Sequence, residues 1–261
     1  MRNLLITIRY DGRRYRGFQV QAKGVPTVAA AFQDAEEAVF GRRDPIKGCS
    51  RTDSGVHANR FCLSLLTESR IPADRVVPAL NANLPPDIAA IGCREVPPDF
   101  HARYSAAGKR YLYKIWNDPV RNPFWEGLAL HVPHALDADR LHRMAQNFLG
   151  THDFSGFSNA GGSAANPVRT ITEFAVSREE ELLVFSVTGN GFLYNMVRIL
   201  AGTLLDAARG GIREEELPEI LASKDRSRAG ITAPACGLYL DEVFYPCLTG
   251  GGLDPAPVRH P

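Results

Sequence analysis

The chain has 261 residues, 44% of them hydrophobic and 23% charged, with a net charge of +1. That balance gives one large globular domain or two ordinary ones, and excludes a disordered, collagen-like or coiled-coil chain. Five cysteines, odd in number and without a C-x-x-C pair, argue against a disulfide framework and against a zinc site.

The N-terminus has no apolar leader, and no apolar run approaches the roughly 18 residues of a membrane helix. The expectation is a cytoplasmic protein with no membrane partner. Charge is uneven along the chain. Residues 1–60 hold eleven Lys and Arg against six Asp and Glu, and residues 101–125 hold five against one; residues 61–100 and the remainder are acidic, at −2 and −6. If the two basic segments fold onto one face, that face suits a polyanion. A solvated mixture of charges accounts for the numbers as well.

Leu4, Ile6 and Ile8 alternate with Leu5, Thr7 and Arg9, which predicts an opening strand ended by Tyr10-Asp11-Gly12. In the next loop Arg13, Arg14 and Arg16 interleave with Tyr15 and Phe18. Such a loop can pair with phosphates and stack on bases, or lie on the surface with its arginines snorkelling. Thr27 is a predicted N-cap, Val28, Ala31, Phe32, Ala35 and Val39 recur at helical spacing, and Gly41 stops the helix. Pro45 to Lys47 reads as a strand end, Gly48 to Ala58 as a loop, and Phe61 to Leu66 as the next strand. Pro72 opens a helix with Val76, Val77 and Leu80 on its apolar face, and Ile88 to Val96 is a strand. This is the β-α-β-β-α-β order of the split βαβ.

The order recurs. Strands are predicted over Lys109–Trp116, Val168–Val176, Leu182–Val187 and Leu238–Phe244. Helices are predicted over Asp137–Leu149 and Leu193–Arg209, with a short one near Glu214–Leu221. The reading is an α+β fold of two ferredoxin-like halves, 1–104 and 105–246, with a central, mostly antiparallel sheet and a cleft between the halves. A flexible tail over 247–261 follows. The loop Thr151–Pro167, with Phe154 and Phe157 as anchors, is long enough to expect a function or mobility.

The loop from Gly48 to Ala58 holds Arg51, Asp53 and His57, more ionisable groups than chain reversal needs, with Gly55 free to take positive φ. Asp53 could be a nucleophile, a general base, a metal ligand or an Asx-turn former; no cluster at ligand spacing supports the metal reading. Asp53-Ser54-Gly55 with His57 resembles a motif of chymotrypsin-like hydrolases, but the glycine-rich flanks are missing and the element order is not that of two barrels. Tyr111 shares a strand face with Tyr113 and Ile115, where core packing is the default. Arg198 sits among Met196, Val197, Ile199 and Leu200, where it is costly to bury without a carboxylate. Which acid it meets is open.

Several motifs in order resemble the TruA-type tRNA pseudouridine synthases, from Ile6 to about Tyr245. They are Tyr10-Asp11-Gly12 through Tyr15-x-Gly17-Phe18-Gln19, then Gly48 to Ala58, and Asn81-x-Asn83-Leu84-Pro85. Asp99-Phe100-His101-Ala102-Arg103, Arg110-Tyr111-x-Tyr113, Gly191 through Arg198, and Gly237-Leu238-Tyr239-Leu240 follow. The resemblance implies a pseudouridine-synthase fold and an enzyme that flips uridines 38, 39 and 40 of the tRNA anticodon arm and isomerises them. It implies a homodimer gripping tRNA, with no metal and no organic cofactor. It puts the essential aspartate, as nucleophile, on Asp53, its arginine partner on Arg198, a neighbouring arginine on Arg51, and the tyrosine that stacks on the flipped uracil on Tyr111. Arg13, Arg14, Arg16, Lys109 and Arg110 are the expected tRNA contacts. Phe18 stands where tryptophan is usual and Ser54 where alanine is common. Attack on the ring, attack on the sugar and elimination through a glycal all stay open. So do two other functions: a related synthase acting on different uridines, and a catalytically silent RNA-binding protein.

Overall fold

The opening alternation becomes strand β1 (Arg2–Tyr10), with Leu4, Leu5, Ile6 and Ile8 all buried, so both faces of this strand are covered. Helix α1 (Val28–Phe40) starts where the Thr27 hydroxyl accepts from the Ala30 N–H at 3.3 Å and stops at Gly41, φ 75°. A cap of this kind contributes about 1 kcal/mol. Strand β2 (Lys47–Gly48), strand β3 (His57–Thr67), helix α2 (Ala73–Asn81) and strand β4 (Ile88–Val96) complete the first half. The second half contains β5 (Gly108–Trp116), β6 (Leu130–His131), α3 (Ala138–Ala145), β7 (Gly150–Asp153), β8 (Val168–Glu179) and β9 (Leu182–Gly189). Helices α4 (Met196–Ala208) and α5 (Leu217–Ser223) and strand β10 (Leu238–Phe244) follow. The structure is a computed structural model that describes residues 1–162 and 164–248; the tail expected over 247–261 lies, after residue 248, outside the described residues.

The strands form one sheet in the order β4-β1-β3-β10-β5-β9-β8-β7, with β2 also on β3 and β6 also on β5. Each half has split-βαβ order, β4-β1-β3-β2 in the first and β10-β5-β9-β8 in the second, with antiparallel neighbours throughout. The halves meet where β10 runs parallel to β3, Tyr239 beside His57 and Leu240 beside Ala58. Side chains reinforce that short ladder. The His57 ring stacks on Tyr239 at 4.6 Å, Asn59 donates to Asp241 at 2.8 Å, and Arg60 donates to Glu242 at 3.1 Å.

Several predicted boundaries move: β3 already begins at His57, so the loop expected over Gly48–Ala58 ends two residues early, and three further shifts have a local reason. Helix α4 begins at Met196 rather than Leu193, because Asn195 takes the left-handed conformation at φ 61° and so cannot continue a helix backwards. The helix expected to run to Leu149 leaves α geometry after Ala145 and tightens into a 3-10 turn over Gln146–Phe148. That turn sets Phe148 edge-on to Phe157 at 5.2 Å. The loop expected from Thr151 loses its first residues to β7, whose backbone pairs with Val168–Ile171. Phe154 and Phe157 do anchor what remains, both fully buried. Rings this deeply packed contribute about 3–5 kcal/mol each.

Among the described residues no helix is long and apolar enough to cross a membrane, and no three His, Cys, Asp or Glu side chains gather as a metal-binding group. Cys49, Cys62, Cys93 and Cys236 carry free thiols.

Candidate active site

Asp53 stands on the turn between β2 and β3, and its neighbours fix that turn from both sides. The Thr52 hydroxyl shares a hydrogen bond with the Tyr10 hydroxyl at 2.7 Å, and the Thr52 carbonyl accepts from the Phe18 N–H at 3.1 Å. Val56 N–H donates to the Asp53 carbonyl at 3.2 Å, with Gly55 at φ 79°. Gly17, at φ 95°, lets the two loops touch: a Cβ there would lie 2.7 Å from the Thr52 oxygen. Phe18 stacks on Phe61 at 4.1 Å, so phenylalanine still fills the space under the turn with a ring.

Across the cleft, Tyr111 sits on β5 with 7% of its surface exposed. Its hydroxyl is hydrogen-bonded to Ser50 at 2.9 Å, and Phe192 meets its ring edge-on at 5.1 Å. Burial pushes the phenol pKa up, and the nearby Cys49 and Asp53 push the same way against the Ser50 hydrogen bond. Tyr111 therefore stays a neutral ring through the physiological range. It is core in burial and cleft wall in position.

Arg198, in the first turn of α4, supplies the partner that its apolar surroundings demand. Its Nη1 lies 3.6 Å from Asp53 Oδ2 and donates to Asn195 Oδ1 at 2.9 Å, while Nε donates to the Ala233 carbonyl at 2.7 Å. The segment carrying Ala233 is itself held by Arg226, which donates to the Gly230 carbonyl at 2.9 Å, to Thr232 Oγ1 at 3.2 Å and to Asn159 Oδ1 at 3.1 Å. Asn159 belongs to the cleft wall. Burial raises the Asp53 pKa above its ordinary value, and the Arg198 guanidinium pulls it part of the way back.

These groups line a cleft of about 1040 Å³ to which both halves contribute. Six cations, Arg16, Arg51, Arg103, Lys109, Arg169 and Arg198, face one carboxylate, Asp53. The first two belong to the basic segment 1–60 and the next two to 101–125, so the two segments do converge. Of the expected tRNA contacts, Arg16 and Lys109 line the cleft, whereas Arg13, Arg14 and Arg110 are engaged with carboxylates. Arg13 binds Asp11 at 2.5 Å, Arg14 lies 3.4 Å from Asp87, and Arg110 binds Asp241 at 2.7 Å and Glu242 at 2.6 Å. Arg103 belongs to the Asp99–Arg103 motif, which assigns it no role, and nothing in the sequence marks Arg169. Tyr10 and Thr52 both lie in motifs of the resemblance, but no local pattern pairs them.

The hydrolase-like reading of Ser54 and His57 does not survive the geometry. His57 is buried in β3, its Nδ1 accepting from Gly12 N–H at 3.1 Å and its Nε2 donating to the Gly127 carbonyl at 3.1 Å. Ser54 donates to the Tyr15 carbonyl at 3.4 Å. Both residues hold the neighbouring loops in place.

A carboxylate paired with arginine, a neutral tyrosine ring and a cationic cleft spanning two ferredoxin-like halves agree with the sequence profile that the chain matches. That profile, described as tRNA pseudouridine synthase, covers residues 6–105 and 144–246. The chain belongs to the tRNA pseudouridine synthase family, a class of isomerases. It is similar to tRNA pseudouridine synthase A of Acetivibrio thermocellus, 47% identical over 245 residues that span 94% of this chain and 100% of the relative. The protein of the same name from Ruminiclostridium cellulolyticum is 44% identical over 246 residues, with the same shares covered. That of a Thermoanaerobacter species is 42% identical over 245 residues, again 94% of this chain and 100% of the relative.

Proposed function

We propose that this cleft isomerises uridine to pseudouridine at positions 38, 39 and 40 of the tRNA anticodon arm, with Asp53 as the nucleophile. The observation that carries the reading is Asp53 itself: the one carboxylate lining a cleft with six cations, 3.6 Å from Arg198, with Tyr111 lining the same cleft. The reaction breaks the bond from N1 to C1′ and makes a bond from C5 to C1′. The C5 proton is lost and N1 gains one, so nothing is oxidised or reduced. A nucleophile, a proton path and a grip on the freed ring are what the protein must supply.

A uridine inside a helix must leave its stack before that bond is reached, at a cost of a few kcal/mol. Stacking on an aromatic wall is worth about 1–3 kcal/mol per base, so Tyr111 offsets part of that cost. Arg198 orients the Asp53 carboxylate and favours its ionised form. Arg51, two residues before Asp53 and lining the cleft, would fill the vacated space in the stack or hold a phosphate. The other cleft cations neutralise the RNA backbone. The same reading takes residues 1–104 and 105–246 as the two domains that form the cleft, and two copies of the chain as a cytoplasmic homodimer gripping tRNA.

The test is pseudouridine mapping in tRNA after incubation with the wild-type protein and with Asp53→Asn. Wild type should modify positions 38–40, and the variant should bind tRNA but lose more than about 10³-fold in rate. Full activity of Asp53→Asn would remove Asp53 from the chemistry, and product at other uridines would overturn the site assignment. Tight tRNA binding with no product from wild type would leave a binding protein.

A further inference from the structure

The cleft continues past Arg51 and Arg103. Both residues, together with Phe18 and Ser50, also line a second groove of about 410 Å³ that reaches Lys47, His101 and Tyr104. The lining of this groove includes the cations Lys47, Arg51 and Arg103 and no carboxylate. A polyanionic strand lying in the cleft can therefore run on into the groove without meeting negative charge.

Tyr104 is a residue that the structural core does not account for. Three-quarters of its surface is exposed, 75%, although it is a large aromatic residue. It is presented by a rigid knuckle. Ser105 N–H donates to the His101 carbonyl at 2.9 Å, His101 N–H to Ser105 Oγ at 3.1 Å, and Arg103 N–H to His101 Nδ1 at 3.1 Å. Beneath it the buried Ala102 is clamped, its N–H donating to Ser64 Oγ at 3.1 Å and its carbonyl accepting from the Tyr245 hydroxyl at 2.6 Å. The His101 ring lies 4.4 Å from the Tyr104 ring, and the Arg103 guanidinium 5.7 Å from its centroid. An exposed ring on a fixed support, flanked by an arginine and an imidazole and continuous with an RNA cleft, has the makings of a base-stacking platform.

We infer that the second groove holds a nucleotide next to the target on the same RNA strand, its base on Tyr104 and its phosphate against Arg103 and Lys47. The inference rests on the RNA reading of the cleft and adds a subsite to it. Its consequence is that the neighbour of the target, and not the target alone, is gripped. This gives the enzyme a way to hold the strand in register while one base is out of the stack.

The experiment compares wild type, Tyr104→Ala, Tyr104→Phe and Lys47→Ala on an anticodon-arm RNA, measuring Kd and single-turnover rates. Tyr104→Ala should weaken binding by roughly 5- to 100-fold, the loss falling on Kd and KM more than on the saturating rate. Tyr104→Phe should rescue it, because stacking uses the ring and not the hydroxyl. Lys47→Ala should reduce the salt dependence of binding by about one phosphate contact. Phe124→Ala, which removes an exposed ring outside both grooves, serves as the control and should bind as wild type does. Wild-type affinity in Tyr104→Ala, failure of Tyr104→Phe to rescue, or a changed oligomeric state by light scattering in Tyr104→Ala would each overturn the subsite. Absence of product from the wild type would instead strike the cleft reading, and the binding comparison would still decide the role of Tyr104.

Discussion

At the scale of single residues the site depends on the balance at Asp53. Burial favours its neutral form, whereas Arg198 favours the ionised form that a nucleophile needs. Because the folded-state pKa is raised, the carboxyl's favourable contribution to stability is present below its ordinary pKa and lost as pH rises through the folded value. At working pH the ionised form therefore costs stability, and Asp53→Asn should abolish turnover without lowering the Tm. The same balance predicts a pH effect for Arg198. In Arg198→Met burial acts unopposed, so the acid limb of the kcat/KM profile should move to higher pH. A profile with an unmoved acid limb would mean that Arg198 does not tune Asp53.

At the scale of elements, helix α1 carries a second poised carboxyl, away from the cleft. Glu36 is fully buried on the inner face of α1, its Oε1 accepting from the Asp44 N–H at 2.8 Å, while Oε2 has no hydrogen-bond partner among the described residues. Burial, with the neighbouring Asp44 charge adding to it, pushes its pKa up to about 7. Its contribution to stability is therefore fully present below the ordinary glutamate pKa and is lost as pH rises through about 7. Glutamine keeps the acceptor and removes the titration. Glu36→Gln should raise stability at pH 8 by up to about 3 kcal/mol and change it far less at pH 5. Thermal melts at the two pH values check this, and equal shifts at both would show that the titration is not what matters. The connection between α1 and β2 depends on this contact, and β2 leads directly into the Asp53 turn.

At the scale of the whole molecule, the short parallel ladder between β3 and β10 turns two sheets into one, and loops of both halves line the cleft. Neither half alone assembles the charge: Arg16, Arg51 and Arg103 come from the first, and Lys109, Arg169 and Arg198 from the second. tRNA binding should accordingly be strongly salt-dependent. If about four to six of these cations meet phosphates, log K should fall against log salt with a slope of about −3 to −5. Between 50 and 200 mM salt that is a loss of about 10²–10³-fold, measurable by filter binding or anisotropy. A slope near −1 would show that the cleft cations do not engage the backbone.

What the sequence determined by itself is local. Alternation marked β1 and β5, strands were predicted at β4 and β10, Thr27 and Gly41 bounded α1, and the repeated β-α-β-β-α-β order pointed to two ferredoxin-like halves. The surplus of ionisable groups around Asp53 singled out the turn, because chain reversal alone does not need them. The tertiary structure decided which distant residues meet. The acid facing Arg198, the carboxylates that occupy Arg13, Arg14 and Arg110, the arrival of Arg169 in the cleft and the change of Tyr111 from core residue to cleft wall were all beyond local patterns. Periodicity and capping report which way a side chain faces within its own element. Who faces whom across the cleft depends on strand order, and here on β10 lying beside β3, which brings chain segments far apart in sequence to one place.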